Sequence, residues 1–202
     1  MLEIKRWSVN WQGPDGLLRA VEPTRDEVIA TAGELAAYYN ESHNRTMMAH
    51  ETIMSIDDVV EHHESLWAEG GRPFLLYAGD TMMGDADLRC IEGGIAEFAI
   101  MVGQRPSQGR GLGTRFGLML HTLAFSALEI ERIHVSIILI NLASQRLFEK
   151  LGYQIDNSPK GRSYAEAHDD VTMSLTRARF QEVHGDKIGD IQCVERVSDG
   201  AR

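Results

Sequence analysis

The chain has 202 residues, of which 43% are hydrophobic and 25% charged, as is typical of one globular domain with a sizeable core. Its formal net charge of -10 disfavours a nucleic-acid partner, which needs a cationic protein face, and suits a cationic small molecule or simply solubility. Cys90 and Cys193 lack the spacing of a disulfide scaffold or zinc site, and no apolar run reaches about 18 residues, so we expect a cytoplasmic protein without a membrane partner.

The first third of the chain predicts two strands followed by two helices. The strands are LEIKRWSV and LLRAVEP, with a GPDG turn between them. Thr24 and Glu27 form a capping box that starts a helix through about Tyr39. The stretch ESHNRTMMAHET is predicted to be irregular, and Ser55 caps a second helix, SIDDVVEHHESLWAEG, which ends at a glycine pair.

The middle of the chain predicts three antiparallel strands, PFLLYAGD, TMMGDADLRC and GIAEFAIMVG, because Gly-Asp and Glu-Gly-Gly turns separate them. A glycine loop, a helix through Leu128, the strand RIHVSIIL and the helix LASQRLFEKLG follow. YQID and DVTMSLTRARF are strands on either side of the polar hairpin NSPKGRSYAEAHDD. This order predicts an α+β fold with a mixed sheet. We expect one domain over residues 1–180 and a polar tail, residues 181–202, that adds little to the core.

The stretch SQGRGLGTRF, residues 107–116, places three glycines at the start of a helix. Free amides at a helix start suit phosphate oxygens, and glycine removes the β-carbons that would block a pyrophosphate. A Walker A loop is absent, and the dinucleotide fingerprint fails because Thr114 stands where it needs glycine. The loop therefore predicts a site for a phosphate-bearing cofactor, with a mobile turn as the alternative.

Three motifs in the right order resemble the GNAT superfamily of N-acetyltransferases. The acyl-CoA pyrophosphate loop of that family is similar to residues 108–113, QGRGLG. The strand before it is similar to AEFAIMVG, and the asparagine, helix and Gly-aromatic signature to NLASQRLFEKLGY. The spacing between Gly103 and Gln108 most resembles that in the branch of ribosomal-protein alanine/serine N-acetyltransferases and spermidine acetyltransferases. The resemblance covers residues 94–153 and implies a single-domain fold whose mixed central sheet has a splayed parallel pair and helices on both faces.

The resemblance implies acetyl-CoA as cosubstrate. Loop amides would hold its pyrophosphate, and the exposed edge of the preceding strand would pair with its pantetheine arm like an added strand. Asn141 would reach toward pantetheine or, alternatively, cap the helix that follows it. The cofactor-binding residues expected on this basis are Met101, Val102, Gly103, Gln108, Gly109, Arg110, Gly111, Leu112, Gly113, Thr114, Asn141 and Phe148.

The reaction implied by the resemblance is direct attack of a primary amine, either a small cationic amine or a protein N-terminus, on the thioester. Glu97 is the expected base, because a carboxylate flanked by Ala and Phe on a central strand has a raised pKa or acts through water. The alternative is an ion pair with Arg89. Phe148 stands where many relatives carry a tyrosine that protonates the thiolate. Ser144, one turn earlier, is therefore the expected hydroxyl near the sulfur, with Tyr164 as another candidate.

Three further features carry expectations of their own. Other relatives have a glutamate where Ser136 stands, and His134 on the same face could relay a proton or be a buried, hydrogen-bonded histidine. The run from Glu61 to Glu64 lacks metal-ligand spacing, so no metal is expected. The acidic side of that helix is either solvated or receives a cationic acceptor; it comprises Asp57, Asp58, Glu61 and Glu64.

Two questions stay open at this level. Because Phe148 replaces the tyrosine of many relatives, the alternative function is a non-catalytic module that binds coenzyme A or regulates a partner. The terminal strands LEIKRWSV and DIQCVERV could pair with a second copy, giving a homodimer, or with each other.

Overall fold

A mixed β-sheet runs through the centre of the molecule. The computed structural model describes residues 5–13 and 16–196. The strands within them are β1 (Arg6–Gly13), β2 (Gly16–Val21), β3 (Arg72–Ala78), β4 (Thr81–Glu92), β5 (Ile95–Val102), β6 (Arg132–Ile137), β7 (Gln154–Ile155), β8 (Val171–Thr176) and β9 (Gln192–Arg196). These nine described strands form one sheet in the order β7-β8-β6-β5-β4-β3-β2-β1-β9. Strands β5 and β6 are parallel and their described neighbours pair antiparallel, as expected for a mixed sheet.

Seven α-helices lie in the described residues: α1 (Arg25–Asn40), α2 (Ser42–Met47), α3 (Ile56–Ala68), α4 (Leu112–Ser126), α5 (Leu142–Leu151), α6 (Pro159–Arg162) and α7 (Arg177–His184). The predicted capping box is present, with Thr24 and Glu27 exchanging hydrogen bonds at α1, and the predicted cap Ser55 forms a second capping box with Asp58 at α3. Each supplies partners for amides that a helix start leaves unpaired. Over the described part of the chain, each helix is too short or too polar to cross a bilayer.

The helices cover both faces of the sheet. Side chains alternate along β3, so Phe74 and Leu76 face one core cluster while Leu75 faces the other, as a period of two requires. The larger cluster holds the buried face of α4, including Phe116. The smaller cluster packs α1 and α3 against the sheet, with Leu35 as a member. The expected arrangement of helices on two faces is confirmed.

The parallel pair separates partway along its length. Strands β5 and β6 pair at three positions, from Ile95 opposite Arg132 to Glu97 opposite His134. Beyond Glu97, β5 stays with β4 as far as Val102, whereas β6 stays with β8. The expected splay is therefore present, and it leaves one edge of β5 facing a gap.

Three sequence predictions were wrong. The stretch predicted to be irregular contains the helix α2. The strand predicted to run to Phe180 ends at Thr176, because the Thr176 side chain accepts from the Arg179 amide and caps α7. The polar hairpin contains the short helix α6.

The tail after residue 180 contributes more than expected. Ile191 is buried in the larger core cluster, and β9 pairs antiparallel with β1, so the two terminal strands pair with each other. Parts of three predicted segments lie outside the described residues: positions 2–4 of the first strand, positions 14 and 15 of the first turn, and position 197 of the last strand.

Candidate active site

The gap between β5 and β6 opens into two adjoining cavities. The loop-side cavity, of about 360 Å³, is lined by the glycine loop, the end of β5, α2 and α5. The hairpin-side cavity, of about 200 Å³, is lined by β4, β6, His62 of α3 and the hairpin before β8. The residues lining both are Met47, Met48, Ile100, Met101, Asn141 and Ser144. The two cavities therefore meet where the parallel strands part.

The glycine loop has the backbone that its sequence predicts. Gly109 and Gly111 have φ of +74° and +80°, and the space around their missing β-carbons is open. Gly111 is the N-cap of α4, whose first amides lack acceptors within the helix. The lining of the loop-side cavity includes Gly109, Gly111, Leu112, Gly113 and Thr114. An anion in this cavity would meet a helix N-terminus.

Two residues of the loop have features that the sequence analysis did not anticipate. A β-carbon on Gly113 would lie 2.5 Å from Leu147 Cδ1, so glycine there allows α4 to pack on α5. Arg110 is exposed and lies outside the residues that line the loop-side cavity. Positive charge comes instead from Arg146 and Lys150 of α5. Their spacing of four on one helix was the available signal, because it places both side chains on the same face.

The end of β5 supplies fewer free backbone groups than expected. Gly103 donates its N–H to Met83 O at 2.8 Å, and its carbonyl accepts from Asn44 Nδ2 at 2.9 Å. The Gly103 N–H is therefore already paired, whereas its carbonyl can accept a second hydrogen bond, so contact of Gly103 with the cofactor stays a prediction. Met101 and Val102 line the loop-side cavity, and Val102 O accepts from Gln108 Nε2 at 2.7 Å.

Asn141 and Phe148 both lie on α5 or at its start and make contacts within the protein. Asn141 caps α5 by accepting from the Ser144 amide at 3.0 Å, and its Nδ2 donates to Met47 O at 3.0 Å. Asn141 thus caps α5 and also lines both cavities, so its contact with pantetheine stays a prediction. Phe148 lines the hairpin-side cavity and packs edge-to-face on Phe98, with ring centroids 6.2 Å apart. Phe148 is absent from the lining of the loop-side cavity, and its contact with the cofactor stays a prediction.

Glu97 is held in an ion pair. Its two oxygens accept from Arg89 Nε and Nη2, both at 3.1 Å, and the residue is only 7% exposed. Arg89 also lies 3.8 Å from Asp87 Oδ1 and 3.3 Å from Glu166. Glu97 lies outside the lining of both cavities. The alternative of an Arg89 ion pair is thus the observed one.

Two carboxylates that the sequence reasoning missed line the hairpin-side cavity. Asp85 accepts a short hydrogen bond from the Tyr39 hydroxyl. Asp87 Oδ1 is buried without a hydrogen-bond partner among the described residues. Burial raises the pKa of Asp85 to about 6 and the pKa of Asp87 to about 7, although Arg89 lowers the latter. The signal was the pattern Asp-x-Asp on a buried strand, which places both side chains on one face.

His134 does not join the site. It is buried against Tyr164, with ring centroids 4.5 Å apart, and both residues lie outside the lining of the two cavities. Within the described residues its ring nitrogens have no hydrogen-bond partner, and Asp156 Oδ2 lies 3.7 Å away. Burial lowers the pKa of His134. Ser136 does line the hairpin-side cavity and donates to Asp170 at 2.9 Å.

The acidic side of α3 lies away from both cavities. Asp58 caps its own helix, and Glu64 pairs with Arg25 at 2.7 Å. The carboxylates of the hairpin-side cavity are instead Asp85, Asp87, Glu166 and Asp170. His62 of α3 reaches this cavity, and burial lowers its pKa to about 4, so the imidazole is neutral at pH 7. Among residues 5–13 and 16–196, no cluster of three or more His, Cys, Asp or Glu is arranged to hold a metal ion.

Comparison with protein families and curated proteins gives two matches. The family model described as the acetyltransferase (GNAT) domain matches residues 17–154. An N-acetyltransferase 9-like protein from Caenorhabditis briggsae is 31% identical over 97 residues, which are 48% of this chain and 46% of that protein. The chain thus spans about half the length of this curated relative.

Several solved structures share the fold of this chain. RimJ from Mycobacterium smegmatis, in complex with CoA-disulfide, has a TM-score of 0.71 at 14% identity, covering 92% of this chain and 96% of that one. The aminoglycoside acetyltransferase AAC(6')-Ib with ribostamycin and coenzyme A has a TM-score of 0.69 at 21% identity, covering 84% and 97%. A chimera of the spermidine N-acetyltransferase SpeG from Vibrio cholerae has a TM-score of 0.64 at 18% identity, covering 81% and 97%.

Proposed function

The chain belongs to the acetyltransferase (GNAT) domain family, and from that premise we propose that it transfers the acetyl group of acetyl-CoA to a small cationic amine. One observation carries this proposal. A cavity that ends at a glycine-capped helix start adjoins a carboxylate-lined cavity at the point where two parallel strands part. The first suits an anionic cofactor and the second an amine, so the junction suits transfer between them.

The loop-side cavity fits coenzyme A. Its diphosphate would lie at the amides that begin α4, with Arg146 and Lys150 contributing charge. The pantetheine arm would follow the edge of β5 at Met101 and Val102, which β6 leaves open. Pantetheine amides gain hydrogen-bond partners there when water is displaced. The bound cofactor supplies an activated thioester at the junction of the two cavities.

The hairpin-side cavity supplies a base. Asp87 presents a buried oxygen that has no hydrogen-bond partner among the described residues, and burial raises its pKa to about 7, close to the optimum for proton transfer at neutral pH. An alkylammonium group, with a pKa of about 10, would first pair with this carboxylate and then give up a proton to it. The freed amine is the nucleophile.

Two other residues complete the proposed arrangement. Ser144 lines both cavities and is the hydroxyl we assign to contact with the leaving sulfur. Glu97 holds Arg89, which lies between Asp87 and Glu166. Glu97 therefore acts as a positioning residue, and the base assigned to it from the sequence passes to Asp87.

Charge supports a cationic acceptor over a protein N-terminus. Four carboxylates line the hairpin-side cavity against the one arginine in that lining, Arg89. One similar structure is an aminoglycoside acetyltransferase with ribostamycin and another is a spermidine N-acetyltransferase chimera, and ribostamycin and spermidine both carry several amines. Free thiols at Cys90 and Cys193 support the accompanying proposal of a cytoplasmic location, where reducing conditions keep thiols unpaired.

Release of coenzyme A thiol from acetyl-CoA tests the function. The full chain is assayed with spermidine, an aminoglycoside, free amino acids and peptides beginning with alanine or serine. We expect thiol release with at least one polycationic amine and little with the peptides. Coenzyme A binding without thiol release for any amine would instead support a non-catalytic binding module.

A further inference from the structure

A buried asparagine connects the glycine loop to the short helix α2. Asn44 is 4% exposed, and its side-chain amide makes three hydrogen bonds of 2.9 Å. Nδ2 donates to Tyr38 O and Gly103 O, and Oδ1 accepts from Gln108 Nε2. These partners lie at the end of α1, after β5 and in the glycine loop. One side chain thus joins three segments to α2.

The other end of α2 reaches the hairpin-side cavity. Met47 and Met48 line both cavities, and Met47 O accepts from Asn141 Nδ2. His50, two residues on, lines the hairpin-side cavity and stacks on Tyr39 with ring centroids 6.1 Å apart. The Tyr39 hydroxyl in turn donates to Asp85. A continuous set of contacts therefore runs from Gln108 to the carboxylates.

Helix α2 depends on these contacts for its position. A six-residue helix is too short to be stable alone in water, and short segments held by few bonds open at low cost in free energy. The Asn44 amide has used its two donors, and Gln108 Nε2 also donates to Val102 O. Ordering the loop around Gln108 would therefore favour the docked position of α2.

We propose that Asn44 is a positioning residue that couples cofactor binding at the glycine loop to assembly of the hairpin-side cavity. This inference rests on the proposed function, because it takes coenzyme A as the ligand of the loop. Binding of coenzyme A fixes residues 108–114. Gln108 then holds Asn44 by its hydrogen bond, which fixes the position of α2. Met47, Met48 and His50 are thereby placed in the lining of the hairpin-side cavity. The acceptor site is complete after the cofactor has bound.

Amide hydrogen exchange on the full chain, with and without saturating coenzyme A, tests the coupling. In the native chain, coenzyme A slows exchange over residues 104–114 and also over residues 42–50, each on the order of tenfold. Gln108→Met removes the link to Asn44 but leaves the Asn44 bonds to Tyr38 and Gly103. We therefore expect native exchange over 42–50 without ligand, and no slowing there when ligand saturates.

Two further variants isolate the role of Asn44. In Asn44→Ala, coenzyme A no longer slows amide exchange over residues 42–50, and exchange there is fast with or without the ligand. Thr46→Ala is the matched control, because it removes a hydroxyl that donates to Ser42 O within the same helix and lies apart from the loop. It keeps the response to coenzyme A. Acceptor KM rises on the order of tenfold in Asn44→Ala and stays native in Thr46→Ala.

The outcomes separate this coupling from the proposed function. If the native chain shows no heat of coenzyme A binding, the function itself is wrong and the coupling falls with it. If coenzyme A protects residues 104–114 and leaves residues 42–50 unchanged, the function stands and the coupling is overturned. Retention of the 42–50 response in Gln108→Met also overturns it.

Discussion

The loop-side and hairpin-side cavities meet at one gap but are built from different groups. The loop-side cavity presents helix-start amides, glycines and two cations on α5. The hairpin-side cavity presents side chains, with four carboxylates and one arginine in its lining. An anion can be held by backbone amides that need only the right conformation. A cationic amine needs charged side chains, so its recognition depends on residue identity.

The two cavities also differ in how their parts are spaced along the chain. In the loop-side cavity, the glycine loop and the end of β5 form one stretch from Ile100 to Thr114, to which α2 and α5 add residues. The hairpin-side cavity draws on α1, β4, β6 and the segment before β8, from Tyr39 to Asp170. Substitutions in one cavity that share no contacts with the other should affect cofactor binding and acceptor chemistry separately.

The largest expected effect tests that separation on the acceptor side. Asp87→Asn removes the proposed base while keeping the shape of the side chain, so we expect kcat to fall by about 10²–10⁴-fold. Coenzyme A affinity, measured by calorimetry, stays native. The native rate rises with pH through about 7, because Asp87 must lose its proton to act, and the variant lacks this rise. For Glu97→Gln we expect a lower rate that still rises with pH through about 7. If the rise disappears in Glu97→Gln and persists in Asp87→Asn, the base has been assigned to the wrong carboxylate.

The same substitution is expected to stabilise the fold at high pH. Burial raises the pKa of Asp87 from 3.8 to about 7, so the folded state binds its proton more tightly than the unfolded state does. The stability that this tighter proton binding contributes is fully present below pH about 4 and is lost as pH rises through about 7. Asp87→Asn should therefore unfold with a free energy higher than native by about 2–4 kcal/mol at pH 8, with little difference at pH 4. Denaturant titration at the two pH values measures it, and equal differences at both would contradict the buried-carboxylate reading.

A glycine substitution tests the separation from the cofactor side. Gly111→Val forces a branched side chain into a left-handed backbone at the start of α4, and we expect coenzyme A affinity to fall by about tenfold or more. Gly93→Val is the matched control, since Gly93 also has a positive φ of +57° and open space around it but lies in the turn between β4 and β5. Calorimetry should find native affinity in the control. Equal losses in both variants would mean that backbone strain alone, wherever it lies, weakens binding.

The smallest expected effect concerns the cations of α5. Removing Arg146 or Lys150 should weaken coenzyme A binding a few-fold at low salt, because exposed ion pairs contribute about 0–1 kcal/mol each. The difference should shrink as salt screens it. Lys187→Ala, on an exposed residue distant from the lining of either cavity, serves as the control. A salt-independent loss would indicate that these side chains act through packing instead of charge.

The contrast between the cavities explains which features the sequence could predict. The glycine loop, the strand before it and the capping residues at Thr24 and Ser55 are local, because each depends on neighbours a few residues away. Asp85 and Asp87 lie on a correctly predicted strand, but their pKa values depend on burial and on Tyr39 and Arg89. No local pattern carries that information.

Two other differences between the sequence predictions and the structure also arise from tertiary packing. Helix α2 has a polar sequence, SHNRTM, and is held by Asn44 contacts to residues as far away as Gln108. Phe148 was placed correctly on α5, but the cavity that it faces depends on how the helix is rotated against Phe98. Both depend on tertiary packing, which overrides local propensity.

Calorimetric titration of the full chain with coenzyme A and, separately, with pantetheine tests the central claim most directly. Pantetheine keeps the thiol arm and lacks the diphosphate. If the amides at the start of α4 hold the diphosphate, coenzyme A binds with one site per chain and pantetheine binds far more weakly. Equal affinities for the two ligands, or no heat with coenzyme A, would contradict the account.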